Sequence, residues 1–462
     1  MTAAKRLASF VAGLDLAKVP GPVVATATLL ALDTLGNALA AASDDFGRAV
    51  RGVAERLGGP AESSLIGSRA RVSAANAVLA NATLAHGLDF DDTREDAIVH
   101  TGCVAVTTAL AVGEALGARG PAMLEALIAS VEVMCRVGLV VPGALHARHF
   151  HPTSITSSFA AAAAAAKLER LSAEELAQAF GICGSQAGGI IEYLADGSWT
   201  KRLHPGWGAH AGVIATSLAR AGFTGPPTVL EGAHGLYAAF AGGHDAARLE
   251  AQLSSLGDEW ELAQLTFKPY PCGSIAQPYM DCAQRVRQQH RVQPDDVVSI
   301  LCRTAAGPVP RLWEPLAAKH APVNGYAAKF SLPYLIASIL VRGRAGLAEF
   351  TDDAVRDAAV LSVAGRVRYE LDASIDYPRQ FVGDVEVRMG DGRVLRERQD
   401  RPRGGPDAPL TREELETKFR GNAGLALPPE RVERAIRSVH ALAGGGSVVD
   451  LVAAITPERT GS

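Results

Sequence analysis

Eight residues, His86-Gly-Leu-Asp-Phe-Asp-Asp-Thr93, carry an imidazole, three carboxylates and a hydroxyl, and a second imidazole follows at His100. A carboxylate held beside an imidazole can move protons or hold a cation. The preceding run, Ser73-Ala-Ala-Asn-Ala-Val-Leu-Ala-Asn-Ala-Thr-Leu-Ala85, has few charges and reads as a helix. If helical geometry continues, His86, Asp89, Phe90 and Thr93 share one face, Asp92 falls near that stripe and Asp91 points away. The competing reading is a solvated, acidic helix end.

Four further stretches hold chemistry-bearing residues. In Arg148-His-Phe-His-Pro-Thr-Ser154, His149 and His151 are two apart, a spacing that suits a metal on a strand. Pro152 argues for a loop, where one histidine at a helix entry can orient an anion or transfer a proton, and too few ligands are assignable for a metal site. Gly197-Ser-Trp-Thr-Lys-Arg-Leu-His-Pro-Gly206 sets Lys201 and Arg202 beside His204, with His210 following. That reads as an anion pocket, lysine as a point charge and arginine as a fork for carboxylate, or as a basic surface loop. Phe267-Lys-Pro-Tyr-Pro-Cys-Gly-Ser-Ile-Ala-Gln277 marks a seam where the texture of the chain changes, the usual place for a cleft. In Ala328-Lys-Phe-Ser-Leu-Pro-Tyr334, Tyr334 reads as a phenolic acid on a lid or as a packed aromatic.

The elements that must position these residues fall into two textures. Up to about residue 265, Ala and Leu recur at helical spacing between Gly and Pro turns, giving helices over Val23–Ala42, Ser73–Phe90, Val104–Leu116, Met123–Val141, Phe159–Leu168, Ala173–Ala187 and Ala209–Arg220. Ser172-Ala-Glu-Glu supplies one of them with a cap and an acidic first turn. From about 266 to 405, Val297–Cys302 and Val367–Leu371 alternate like strands, and Val385–Met389, Gly-Asp-Gly and Arg393-Val-Leu-Arg read as a hairpin. Helices over Ala327–Leu340 and Asp353–Val363 make this segment α+β. From about 406 the chain is helical again: Thr411-Arg-Glu-Glu414 is a capping box, and Pro429–Ala443 follows. The fold expected is mainly α, with a large helical domain built from both chain ends and an inserted, smaller α+β domain. The Gly-rich tract Gly181–Gly189 follows a helix rather than a strand, so it is read as close helix packing and not as a nucleotide loop.

Composition narrows the function. With 48% hydrophobic and 20% charged residues the 462-residue chain is globular, and its net charge of -4 gives no general attraction to nucleic acid or anionic membrane. Six scattered cysteines form no C-x-x-C pair, which suggests neither a zinc ribbon nor an iron–sulfur site and points to a reduced, cytoplasmic protein. No signal peptide is read at the start. The most apolar stretch, ending at Ala42, carries Asp33 and is expected to be a buried helix rather than a membrane span.

Six motifs in this order resemble the MmgE/PrpD family: His86-x-Leu-Asp-Phe-Asp-Asp-Thr93, His151-Pro-Thr, Lys201-x-Leu-His-x-Gly206, Lys268-Pro-Tyr-Pro-Cys272, Ala328-Lys-Phe-Ser-x-x-Tyr334, and Pro409-Leu-Thr-x-Glu-Glu-Leu with Lys418-Phe419. The family includes 2-methylcitrate dehydratase, cis-aconitate decarboxylase and iminodisuccinate epimerase. The resemblance implies a helical domain from both chain ends, an inserted lid, a homodimer, and a cofactor-free site without metal at the seam. By matched position it implies that Asp89, Thr93, His100, His151, Lys201 and Tyr334 face a small di- or tricarboxylate, with His86, Arg202, His204, Lys268 and Gln277 binding it. Two positions depart from the pattern. Gln277 stands where the family usually has a histidine, and His100-Thr-Gly102 replaces the usual His-Pro-Gly.

The shared chemistry of such a family is carbon-acid chemistry, in which charge develops next to a carboxylate. Lys201, with Arg202 or His204, is expected to hold carboxylate, His151 or His100 to move the proton, Asp89 to orient an imidazole, and Tyr334 to act as acid. The expected activity is a lyase reaction, dehydration of the 2-methylcitrate type or decarboxylation of the cis-aconitate type, with epimerisation of a dicarboxylate such as iminodisuccinate as the alternative. Two readings from other classes compete. Asp91-Asp-Thr-Arg-Glu-Asp96 resembles the magnesium motif of isoprenoid synthases, but 5% aromatic residues is low for sheltering carbocations. Gln277 is also compatible with a non-catalytic interaction protein.

Overall fold

The computed structural model describes residues 1–377 and 380–458. The chain divides into two compact units, Met1–Thr266 with Thr411–Ser462, and Phe267–Leu410.

The first unit is helical because its apolar positions recur at helical spacing and its small residues let helices pack closely. The helix Ala74–His86 starts where the Ser73 hydroxyl accepts from Asn76 N at 3.4 Å. Helices Gly102–Ala115, Gly120–Leu139 and Pro152–Glu169 are buried on almost every side, and the seven-alanine run Ala160–Ala166 lies wholly in the core. Helix Thr200–Arg220 runs nine residues further toward the N-terminus than the apolar pattern from Ala209 to Arg220 suggests. A Cβ at Gly206 would lie 2.3 Å from the Leu79 carbonyl oxygen, and one at Gly212 would lie 2.3 Å from that of Ser158. Only glycine lets this helix rest on its two neighbours, 74–86 and 152–169. Gly21–Ala41 is long and apolar enough to cross a bilayer, with a mean hydropathy of 1.5, but 78% of that window is buried inside the protein.

The returning segment opens on a formed capping box: Thr411 Oγ1 accepts from Glu414 N, and Glu414 accepts from Thr411 N. The helix Arg412–Ala423 packs on Gly21–Ala41.

The second unit holds a four-stranded sheet in the order Val367–Leu371, Val297–Thr304, Gly383–Met389, Val394–Gln399. The first pair is parallel, with Ile300 opposite Val367, and the others are antiparallel, with Cys302 opposite Val385 and Val387 opposite Leu395. Strand alternation puts Ile300, Cys302, Val385 and Val387, and a register shift between Val297 and Ser299 puts Val297, into a core shared with helices Gln277–His290 and Leu332–Arg342. The expected single helix over Ala327–Leu340 is two, Gly325–Ala328 and Leu332–Arg342, because the Ser331 hydroxyl caps the second by accepting from Tyr334 N.

Candidate active site

The acidic stretch does not continue the helix. Ala74–His86 ends at His86, and Asp89 turns the chain with a left-handed backbone, φ 56°. The shared face expected for His86, Asp89, Phe90 and Thr93 is therefore absent, and Asp91, expected to point away, is wholly buried. Asp91 Oδ2 lies 2.7 Å from His86 Nδ1, which donates to it. Asp92 accepts from Thr101 N, the Thr101 hydroxyl and Gly102 N at 3.0, 2.7 and 2.8 Å. It thereby satisfies the N-terminus of helix 102–115, where a negative charge is favoured. Burial, and after it the neighbouring Asp91, nonetheless push its carboxyl up to about 6. The competition for these backbone and imidazole donors is what breaks the helix.

Four imidazoles follow one another in space. Ring centroids stand 4.9 Å apart for His86 and His100, 5.6 Å for His86 and His151, and 5.2 Å for His151 and His204. His100 Nδ1 donates to the Asp92 carbonyl at 2.7 Å, with the Thr93 hydroxyl 3.3 Å away. His151 and His204 meet Nδ1 to Nδ1 at 3.1 Å. Burial first, then the positive neighbours His86 and Lys201, hold His151 well below its ordinary value and bring His204 down to about 4. Both rings are therefore neutral at pH 7. Lys201 forms an ion pair with Asp89, so the carboxylate that sequence reasoning set beside an imidazole partners the ammonium. Tyr193, unremarked in the sequence, lies edge-on to His151 and His204 at 6.1 and 5.8 Å.

Distant chain segments fix this arrangement. His151 precedes helix Pro152–Glu169, and its N–H bonds the Gly189 carbonyl at 2.9 Å, which places the stretch with Tyr193 over the rings. Lys418, from the returning segment, bonds the Phe90 carbonyl at 2.7 Å, pairs with buried Asp33 at 2.7 Å and covers the Phe90 ring at 3.7 Å. Asn37 donates to the same carbonyl at 3.1 Å. The loop is thus tied from both ends of the sequence.

Residues 5–249 match the MmgE/PrpD N-terminal domain, and residues 270–443 match the MmgE/PrpD C-terminal domain. The chain belongs to the MmgE/PrpD family. Among its relatives, the human cis-aconitate decarboxylase is 30% identical over 385 residues, spanning 79% of this chain and 75% of that protein. The cis-aconitate decarboxylase-like protein oryM of Aspergillus oryzae is 27% identical over 86% of this chain and 85% of its own length. The cis-aconitate decarboxylase of Aspergillus terreus is 22% identical over 90% and 88%. For this MmgE/PrpD protein the relatives support a lyase of the decarboxylase or dehydratase type.

Of the residues expected to act, the first unit brings together His86, Asp89, Thr93, His100, His151, Lys201 and His204. Arg202 diverges: its guanidinium lies over the Phe46 ring at 4.3 Å. In the second unit, Lys268 is buried. Gln277 is used internally, its amide donating to the Tyr270 and Cys272 carbonyls at 3.0 Å each and its oxygen accepting from Tyr270 N at 3.2 Å. It clamps the Pro-Tyr-Pro-Cys turn, a role that needs an amide and no titration. Tyr334 corrects an expectation. It is fully buried, donates to the Glu349 carbonyl at 2.7 Å, and burial pushes it up to about 12, so it is the packed aromatic and not a poised acid.

Sequence reasoning missed Asp91, Asp92 and Tyr193 as parts of the site. The partners of Asp92 lie nine and ten residues on, beyond any helical periodicity, and Tyr193 carries no local signal. His86, Asp91 and Cys103 have ligand atoms within 4.8 Å of one another. The 2.7 Å between His86 Nδ1 and Asp91 Oδ2 is a hydrogen bond, closer than two ligands of one tetrahedral zinc, which stand about 3.3 Å apart. Burial, Asp91 and Asp92 also hold the Cys103 thiol protonated.

Proposed function

We propose that this chain is a carboxy-lyase that removes carbon dioxide from a small tricarboxylate of the cis-aconitate type. The observation that carries the reading is the pair of neutral, buried imidazoles, His151 and His204, beside Lys201. Proton transfer to or from carbon needs a base of matched strength, and developing carboxylate or enolate charge needs a fixed cation. The relatives at 22–30% identity carry the name of this reaction.

In the proposed step, an imidazolium delivers a proton to one alkene carbon. The bond to a carboxylate on the allylic carbon breaks, and its electron pair forms the shifted double bond as carbon dioxide leaves. A polyanionic substrate favours proton uptake by neighbouring imidazoles, so rings that are neutral in the free protein become able to donate. Lys201 would turn from Asp89 toward a substrate carboxylate. Dehydration of a 2-methylcitrate-type substrate draws on the same groups. Epimerisation by two opposed bases is less well supported, because adjacent ring centroids at 4.9 to 5.6 Å leave no slot for a carbon chain between them.

The reading includes an inserted lid formed by the second unit and a homodimer. Trp199, Leu203, Trp207 and Ile214 support the dimer, since they are exposed at helical spacing along one helix. Chelator-treated protein is incubated with cis-aconitate, citrate and 2-methylcitrate and followed by carbon-13 NMR with carbon dioxide capture. Release of carbon dioxide with a new terminal alkene supports decarboxylation. Water loss or addition without carbon dioxide reassigns the protein as a hydro-lyase, and an inert panel sinks the proposal.

A further inference from the structure

We infer that His204 is a positioning residue: its Nδ1 accepts a hydrogen bond from His151 Nδ1–H and so leaves His151 Nε2 as the proton-accepting atom of the site. This rests on the proposed carbon-acid chemistry, and it replaces the carboxylate-binding role expected for His204.

A neutral imidazole has one N–H donor and one lone-pair acceptor. Two Nδ1 atoms at 3.1 Å therefore force opposite tautomers on the two rings. His151 is 4% exposed and His204 9%, so water cannot readily stand in for either partner. The backbone holds the pair together. His151 sits at the entry of helix 152–169, and His204 lies in the first turns of helix 200–220, whose glycines bring it onto that helix. The groups facing His151 are His86, His100, Lys201, His204 and Tyr193. Of these, His204 meets its Nδ1 at hydrogen-bond distance. In the tautomer we assign, His151 holds the proton on Nδ1, so Nε2 carries the lone pair.

The consequence is chemical. When Nε2 takes a proton, the Nδ1–H bond to His204 becomes charge-assisted, but no anion neutralises the imidazolium from behind. Such a ring binds a proton weakly and returns it readily, which suits transfer back to carbon.

Three substitutions separate this role from packing. His204→Leu removes the acceptor and should lower kcat on the order of 100-fold with KM nearly unchanged. His204→Asn, whose carboxamide can present oxygen where Nδ1 stood, should restore most of the rate. His204→Asp places a carboxylate behind His151 and should move the limb of the kcat/KM profile that His151 sets, the alkaline one for a proton donor, to higher pH. A rise in KM alone in the Leu and Asn variants would return His204 to substrate binding, and an unmoved pH profile in His204→Asp would overturn the inference. Long-range nitrogen–proton NMR of ring-labelled histidine gives a readout that needs neither substrate nor turnover. His151 should show a protonated Nδ1 and an unprotonated Nε2 in wild type and lose that bias in His204→Leu. The reverse tautomer rejects the inference even if the protein proves to be a hydro-lyase, and should His204→Leu fail to fold, the wild-type spectrum and the Asn and Asp variants still decide.

Discussion

His86 and His151 stand 5.6 Å apart ring to ring, but each has a different group behind it. Behind His86 is the buried carboxylate of Asp91, at 2.7 Å. Behind His151 is a second imidazole, at 3.1 Å. Both partners fix where the ring hydrogen sits. Only the carboxylate also supplies a charge that can balance an imidazolium. Two chemically identical side chains thus meet different electrostatic surroundings, the kind of difference by which acid and base roles can be separated in a single site.

The largest expected effect comes from deleting one side of the comparison. His151→Gln should lower kcat roughly 10³-fold with the fold retained, as checked by steady-state kinetics beside circular dichroism. Next is Asp91→Ala, which strands a buried imidazole. It should cost about 3 kcal/mol in denaturant unfolding as well as activity. If it instead unfolds like wild type, His86 does not depend on its carboxylate and the contrast collapses.

Acid sharpens the comparison further. Because His151 is held well below 6.5, its proton-donating form in the free protein is lost as pH rises past that lowered value, so the alkaline limb of kcat/KM should lie below 6.5, and a midpoint at or above it would contradict the neutral pair. Stability has the matching sign. His204, depressed to about 4, binds fewer protons folded than unfolded between about 4 and 6.5, so its contribution is complete above 6.5 and is lost as pH falls toward 4. Asp92, raised to about 6, binds more protons folded than unfolded and acts oppositely between 3.8 and 6, its term becoming more favourable as pH falls. The difference in Tm between His204→Asn and wild type should therefore grow in the variant's favour as pH drops from 6.5 to 4. The smallest effect belongs to Arg202→Leu, which removes a stacking contact worth about 1 kcal/mol and should leave KM within about threefold. A large rise in KM would restore Arg202 as a carboxylate ligand.

Much of the scaffold was legible because it rests on periodicity. Val367–Leu371 is a strand with the bounds its alternation indicates, and the Thr411 capping box forms as read. The strip His86–His100 was recognisable as chemistry from its residue types. Its geometry was not, because helical spacing cannot anticipate a break that depends on Asp92 finding donors at Thr101 and Gly102. The same limit gave Asp89 the imidazole that Asp91 holds, and left Asp91 pointing away. Tyr334 shows the converse. A phenol inside a family motif looked reactive, and only its contact with the Glu349 carbonyl reveals a packing role.

Lys418 reaches back 328 residues to the Phe90 carbonyl. On a ribosome adding about 5 to 20 residues per second, the loop that bears Asp89 and Asp91 waits on the order of tens of seconds for that keystone. The whole second unit emerges in the interval. The nascent first unit therefore holds this loop without one of its ties until the returning helix with Lys418 has been made.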